Sequence, residues 1–144
     1  MKISQVLLAA FLSSAASAAP AAASKSMMAE DTQWTITQMV RNCNSEDTQC
    51  TWNFGIDANG SNTGCTLVVN GNPASQGNGG PVTCGNYTVT SGWSGQFGAG
   101  NGFTTLSVVD QNTRQIIWPA YTDNQLASGQ PVSPDQSYTP SNLP

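Results

Sequence analysis

The 144-residue chain sets eight carboxylates against four Lys/Arg, a net charge of −4, and contains no histidine. The missing histidine excludes Ser-His-Asp and Cys-His catalytic groups and His-ligated metal sites. With charged residues at only 8%, the chain also lacks the Lys/Arg density that a nucleic-acid binder needs to neutralise phosphates.

Residues 1–18 (MKISQVLLAAFLSSAASA) place Lys2 before the apolar run Val6 to Leu12 and end in Ala16-Ser17-Ala18. A basic start, a short apolar stretch and a small-x-small end are the three parts of a secretory signal peptide, in the right order. The run falls far short of the roughly 20 apolar residues that span a bilayer. Residues 19–31 (APAAASKSMMAED) are Ala-rich, without turn chemistry, and read as a flexible N-terminal segment. The single domain expected is therefore residues 32–144, in an exported and acidic product that neither inserts into membranes nor binds nucleic acid.

From Trp34 the apolar period is two. Trp34, Ile36, Gln38 and Val40 share one face of a first strand, opposite Thr35, Thr37 and Met39. Cys50, Trp52, Phe54 and Ile56 alternate with Thr51, Asn53, Gly55 and Asp57, the cleanest strand signal in the chain. Asp57-Ala58-Asn59-Gly60 supplies a hairpin turn, and Cys65 to Asn70 the return strand. Asn70 to Pro81 (NGNPASQGNGGP) is too rich in Gly, Asn and Pro for any persistent element and reads as the longest loop. Further strands are expected at 82–84, 86–90 and 93–97. The turn Gly98 to Gly102 then leads to a strand from Phe103 to Asp110. Asp110 to Thr113 turns the chain into Arg114 to Tyr121, where Pro119 demands a sheet edge or a bulge. Thr122 is placed to cap a short helical turn to Leu126, and the Pro-rich tail from Gln130 packs irregularly or is loose. About eight short strands at this spacing define an all-β fold, a small antiparallel β-sandwich or β-barrel.

Cys43, Cys50, Cys65 and Cys84 all lie in the exported part, and an even count in a small secreted domain implies two disulfides. Three pairings are possible, and loop-closure entropies of roughly 2.5–3.5 kcal/mol do not choose between them. The polar turn Asn44 to Gln49 favours Cys43–Cys50 with Cys65–Cys84; Cys50–Cys65 with Cys43–Cys84 is the alternative. Asn59-Gly60-Ser61 and Asn86-Tyr87-Thr88 are N-glycosylation sequons, making Asn59 and Asn86 candidate acceptors.

No catalytic, cofactor-binding or metal-ligating constellation emerges. Asp57, Asp110, Asp123 and Asp135 have no spacing diagnostic of a glycosidase pair and read as turn caps, while Glu46-Asp47 reads as a solvated loop tip. Gly98 to Gly102 lacks the helix and lysine of a phosphate cradle. The aromatics carry more: Trp93, Phe97, Trp118 and Tyr121 sit near glycines or a proline, and Trp93, Trp118 and Tyr121 are the candidates for a recognition surface, with Trp118 to Tyr121 the best single segment.

The runs SGWSGQFGAGNGFTTLSVVD (Ser91 to Asp110), IIWPAYTDNQL (Ile116 to Leu126) and PDQSYTP (Pro134 to Pro140), with the four-cysteine framework, resemble a family of small secreted fungal proteins. That family includes hypersensitive-response-inducing protein elicitors, and the resemblance runs from Trp34 to the end of the chain. It implies a secreted β-structured elicitor or effector of a plant-associated fungus, non-catalytic and detected by a plant cell-surface component. The alternative is a module that binds cell-wall carbohydrate by stacking Trp93, Trp118 or Tyr121 on sugar rings.

Overall fold

The structure is a computed structural model and describes residues 32–144; the signal peptide expected at 1–18 and the Ala-rich segment at 19–31 lie outside the described residues. In chain order the elements are β1 (Trp34–Cys43), β2 (Gln49–Ala58), β3 (Ser61–Asn70), a 3-10 turn (Ala74–Gln76), β4 (Gly79–Cys84), β5 (Tyr87–Ser94), β6 (Phe103–Asp110), β7 (Gln115–Ile117), β8 (Ala120–Thr122), α1 (Asp123–Leu126), β9 (Gln136–Tyr138) and β10 (Ser141–Asn142). They build two antiparallel sheets. The first runs β9-β1-β2-β3; the second runs β10-β7-β6-β5-β4, with β8 also paired to β6. Neither sheet closes on itself, and the fold is a small β-sandwich.

The core follows from the period of two. Trp52, Phe54 and Ile56 of β2 are at most 5% exposed, and Cys65, Leu67 and Val69 of β3 lie beside them. They pack with Val89 of β5, Leu106 and Val108 of β6 and Ile117 of β7 in one hydrophobic cluster. Burying each large side chain contributes roughly 1.5–3 kcal/mol, so this alternation dominates what holds the sheets face to face. Trp34 and Tyr87 meet edge-on at 5.5 Å between ring centroids. The β2–β3 turn is Asn59-Gly60, both at positive φ (55° and 81°), as a two-residue hairpin linker requires.

Two disulfides are present. Cys43–Cys50 closes the β1–β2 hairpin, where the two cysteines are ladder partners. Cys65–Cys84 joins β3 to β4, which belong to different sheets.

The structure departs from the sequence reading in four places. In β1 the register shifts between Thr37 and Val40, and Gln38 takes φ 55° with its N–H donating to Asp135 Oδ1 at 2.9 Å. This bulge reverses the phase, so Met39 and Arg41 are buried instead of Gln38 and Val40. The Asn70 to Pro81 loop is ordered by Asp47, which is no solvated tip: its carboxylate accepts from Ser75 N (2.8 Å) and Ser75 Oγ, and its carbonyl from Ala74 N. Residues 93–97 are not a separate strand; β5 is continuous through Ser94. The tail is not loose but supplies β9 and β10 as edge strands. Pro119 does interrupt its strand, separating β7 from β8, and Thr122 caps α1 in a capping box with Gln125.

Candidate functional site

Within β6, Thr104, Leu106 and Val108 face the core, so Phe103, Thr105, Ser107 and Val109 face outward. Register sets their neighbours: Ser94, Gly92 and Thr90 of β5 lie across from Phe103, Thr105 and Ser107, and Thr122 and Ala120 of β8 flank Phe103 and Thr105 on the other side. Trp118 follows Ile117, the partner of Val108, and precedes Pro119, whose carbonyl accepts from Leu106 N at 2.7 Å. It therefore stands beside Ser107 and is 54% exposed. At the other end Phe97, 64% exposed, stacks on Phe103 with centroids 5.7 Å apart and planes inclined 26°. Four residue steps along β6 lead from Phe103 to Ser107, so the two aromatic groups are spaced by about 13 Å along the sheet.

The loop between β5 and β6 presents Phe97. Asn101 Nδ2 donates to the Phe97 carbonyl at 3.2 Å, and Gly98 N donates to Gly95 O at 3.0 Å, which folds residues 95–102 back onto the sheet. Below Phe97 an apolar cleft of about 280 Å³ is lined by Phe97, Asn101, Phe103, Ala120, Tyr121 and Thr122. Between the aromatic groups the face carries hydroxyls, including the Thr90–Ser107 hydrogen bond, and no charged side chain. Such a face makes van der Waals and hydrogen-bonding contacts without desolvating a charge, and large exposed aromatics are what a binding surface concentrates.

Of the recognition candidates from sequence, Trp118 alone is displayed. Tyr121 is 1% exposed: it lies across from core-facing Thr104 and its ring belongs to the hydrophobic core. Trp93 is half-buried and braces the sheet edge. Its Nε1 donates to Asp123 Oδ2 at 3.0 Å, and its ring lies against Gly95 and Gly102, where an added Cβ would come within 2.6 Å of it. Phe97, grouped with these aromatics in the sequence but not chosen, and Phe103, not considered, were passed over because sequence periodicity does not show that a turn between them stacks their rings. Their symmetric position around Gly98 to Gly102 was the available signal.

Three of the four candidate carboxylates serve the scaffold. Asp110 accepts from Asn112 N at 2.8 Å, Asp135 holds the β1 bulge, and Asp123 binds Trp93 and pairs with Arg41 at 3.6 Å. Among the described residues the one cluster with metal-ligand atom types, Cys43, Asp47 and Cys50, has its cysteines tied in a disulfide. Asn59 and Asn86 are both exposed, in the β2–β3 turn and just before β5.

Burial, and secondarily the neighbouring Tyr138 phenol, pushes the Tyr121 hydroxyl far above its ordinary value. Burial raises Tyr87 and Tyr138 as well. A raised folded-state value means the unfolded chain releases its phenolic protons first. The stability these groups contribute is full below pH about 10 and is lost as pH rises beyond it. Tyr121 Oη is buried, with the Tyr138 phenol beside it and no hydrogen bond of good geometry, so Tyr121→Phe removes a poorly satisfied group. The expected result is unchanged or higher stability at neutral pH and an alkaline unfolding limb moved upward, read by circular dichroism between neutrality and strong alkali.

A sequence model of the family described as Effector TSP1 matches residues 35–143. A curated relative, Effector TSP1 of Hypocrea virens (strain Gv29-8 / FGSC 10586), is 56% identical over 147 aligned residues that cover 100% of both chains.

Proposed function

From the premise that the chain belongs to the Effector TSP1 family and is a fungal effector, we propose that it acts as a secreted, non-catalytic protein that plant tissue detects through its folded surface, inducing defence. The observation that carries the choice of surface is the outer face of the second sheet, where Trp118 and the Phe97–Phe103 stack stand exposed at either end of an uncharged hydroxyl band. Phe103 lies within β6 and Trp118 at the end of β7, so the sheet sets the spacing at which the aromatic groups meet a partner. Purified oxidised protein infiltrated into leaves is expected to elicit a local defence response at micromolar dose. Trp118→Ala and Phe97→Ala are expected to weaken it about tenfold or more while leaving the fold intact, since both side chains lie mostly in solvent. Equal potency of both variants would remove this face from the recognition surface. Potency retained by reduced, unfolded protein would replace a folded epitope with a linear peptide signal.

A second reading is supported by the same face. Aromatic rings spaced along hydroxyl-bearing strands suit stacking on a cell-wall polysaccharide. Pull-down on insoluble chitin and glucan separates the two, because flat retention across polysaccharides leaves only the protein-recognition reading.

A further inference from the structure

The two sequons, far apart in the chain, lie together in space. Asn59 sits in the turn that opens β3, and Asn86 follows Gly85 in the turn that closes β4. A Cβ added to Gly85 would stand 3.0 Å from Thr63 Cγ2, so the β4–β5 turn rests on the start of β3. Both asparagines are exposed. Among the described residues neither amide has a hydrogen-bond partner, whereas Asn53, Asn62, Asn78 and Asn101 each use theirs to tie strands or a loop. A sugar on Nδ2 of Asn59 or Asn86 therefore displaces no contact.

The same turns flank the open edges of the sandwich. β3 ends the first sheet and β4 the second. An unpaired strand edge is a template for another chain, and a charge, a proline or a bulge commonly blunts it. β4 has Pro81 and a register shift between Gly79 and Val82. β3 has neither a charged residue nor a proline over Ser61–Asn70. Its second half is flanked by the incoming loop: a Cβ on Gly79 would stand 2.6 Å from Val69 Cγ2. Its first half, next to Asn59, is exposed at Ser61, Asn62 and Gly64. We propose that Asn59 and Asn86 both carry N-linked glycans and that the Asn59 glycan covers the bare edge of β3. In the transfer, Nδ2 bonds to C1 of the first sugar of a polyprenyl-diphosphate oligosaccharide. The C1–O bond breaks, the lipid diphosphate leaves and the amide proton goes to base. The proposal rests on the secreted reading above. Asn86 precedes β5 and the Phe97 loop follows it, so eight strand residues, about 25 Å, keep the Asn86 glycan at the end of the sheet away from that loop.

The full chain is expressed in a filamentous fungal host, and protein from the medium is digested, treated with peptide N-glycosidase in ¹⁸O-water and mapped by mass spectrometry. The expected result is ¹⁸O label at positions 59 and 86, with more than about half of the molecules occupied at each. Ser61→Ala and Asn86→Gln should each lose one glycan and keep the fold, since both residues are exposed. Ser61→Ala also leaves the positive φ of Asn59 undisturbed. Incubated below its unfolding midpoint and followed by light scattering, Ser61→Ala should aggregate about threefold faster than the unaltered chain, or more. Asn86→Gln should aggregate more slowly than Ser61→Ala, because Pro81 and the register shift still blunt β4. A glycan that merely aided solubility would give equal effects. Unglycosylated Ser61→Ala and unaltered chain from a bacterial periplasm are the control pair and should aggregate alike. Bare Asn59 or Asn86 in the secreted protein, equal aggregation of the two variants, or the same gap within the bacterial pair would each overturn the proposal. A chain missing from the medium would overturn the secreted reading with it.

Discussion

Replacing Cys65 and Cys84 together by alanine is expected to lower stability by about 3 kcal/mol, against about 2.4 kcal/mol for the Cys43/Cys50 pair, on loop-closure entropy. The bridged residues are 19 positions apart in the first case and 7 in the second. Position in the fold widens the difference. Cys43 and Cys50 are partners in a ladder that hydrogen bonds hold in place without the bridge. Cys65–Cys84 connects β3 and β4 across the boundary between sheets, where no ladder joins them. Losing it frees the β4 edge to part from the first sheet. Urea unfolding followed by tryptophan fluorescence measures both variants. A larger loss from the hairpin bridge would show that β1–β2 pairing, not sheet-to-sheet docking, limits stability.

Trp52→Ala is expected to have the largest single-residue effect, a loss of about 3–5 kcal/mol. Its side chain is 2% exposed at the centre of β2 and is also the surface beneath the Arg41 guanidinium. Truncation therefore opens a cavity and removes the cation's aromatic contact together. The ¹H–¹⁵N signal of Arg41 Nε should move in the variant, which a simple cavity elsewhere in the core would not cause. Trp118→Ala, by contrast, should change stability by no more than about 0.5 kcal/mol, because that ring is more than half in solvent. Comparable losses for the two tryptophans, by thermal or urea unfolding, would contradict the division between buried scaffold and displayed surface.

These two tryptophans also show how far the sequence is legible. Trp52 announces its burial because strand side chains alternate strictly and its neighbours at 50, 54 and 56 are apolar. Trp118, Tyr121 and Trp93 look alike in sequence, each near a glycine or proline. Yet the first is exposed, the second is core and the third is a brace hydrogen-bonded to Asp123. What separates them is which face of β6 each neighbours and which distant group its polar atom reaches, and neither is local information.

By itself the sequence determined the all-β class, the turn positions, the Pro119 break, the Thr122 cap and most of the core, since each depends on side-chain periodicity or on the backbone limits of single residues. The tertiary structure alone decided the phase of β1, the ordering of the long loop on Asp47, the incorporation of the tail as edge strands and the burial of Arg41. Each of these rests on a contact between residues far apart in the chain: Gln38 with Asp135, Asp47 with Ser75, β9 with β1, Arg41 with Asp123. Local preferences are nearly balanced at such positions, so a single distant hydrogen bond or ladder pairing is enough to choose the outcome.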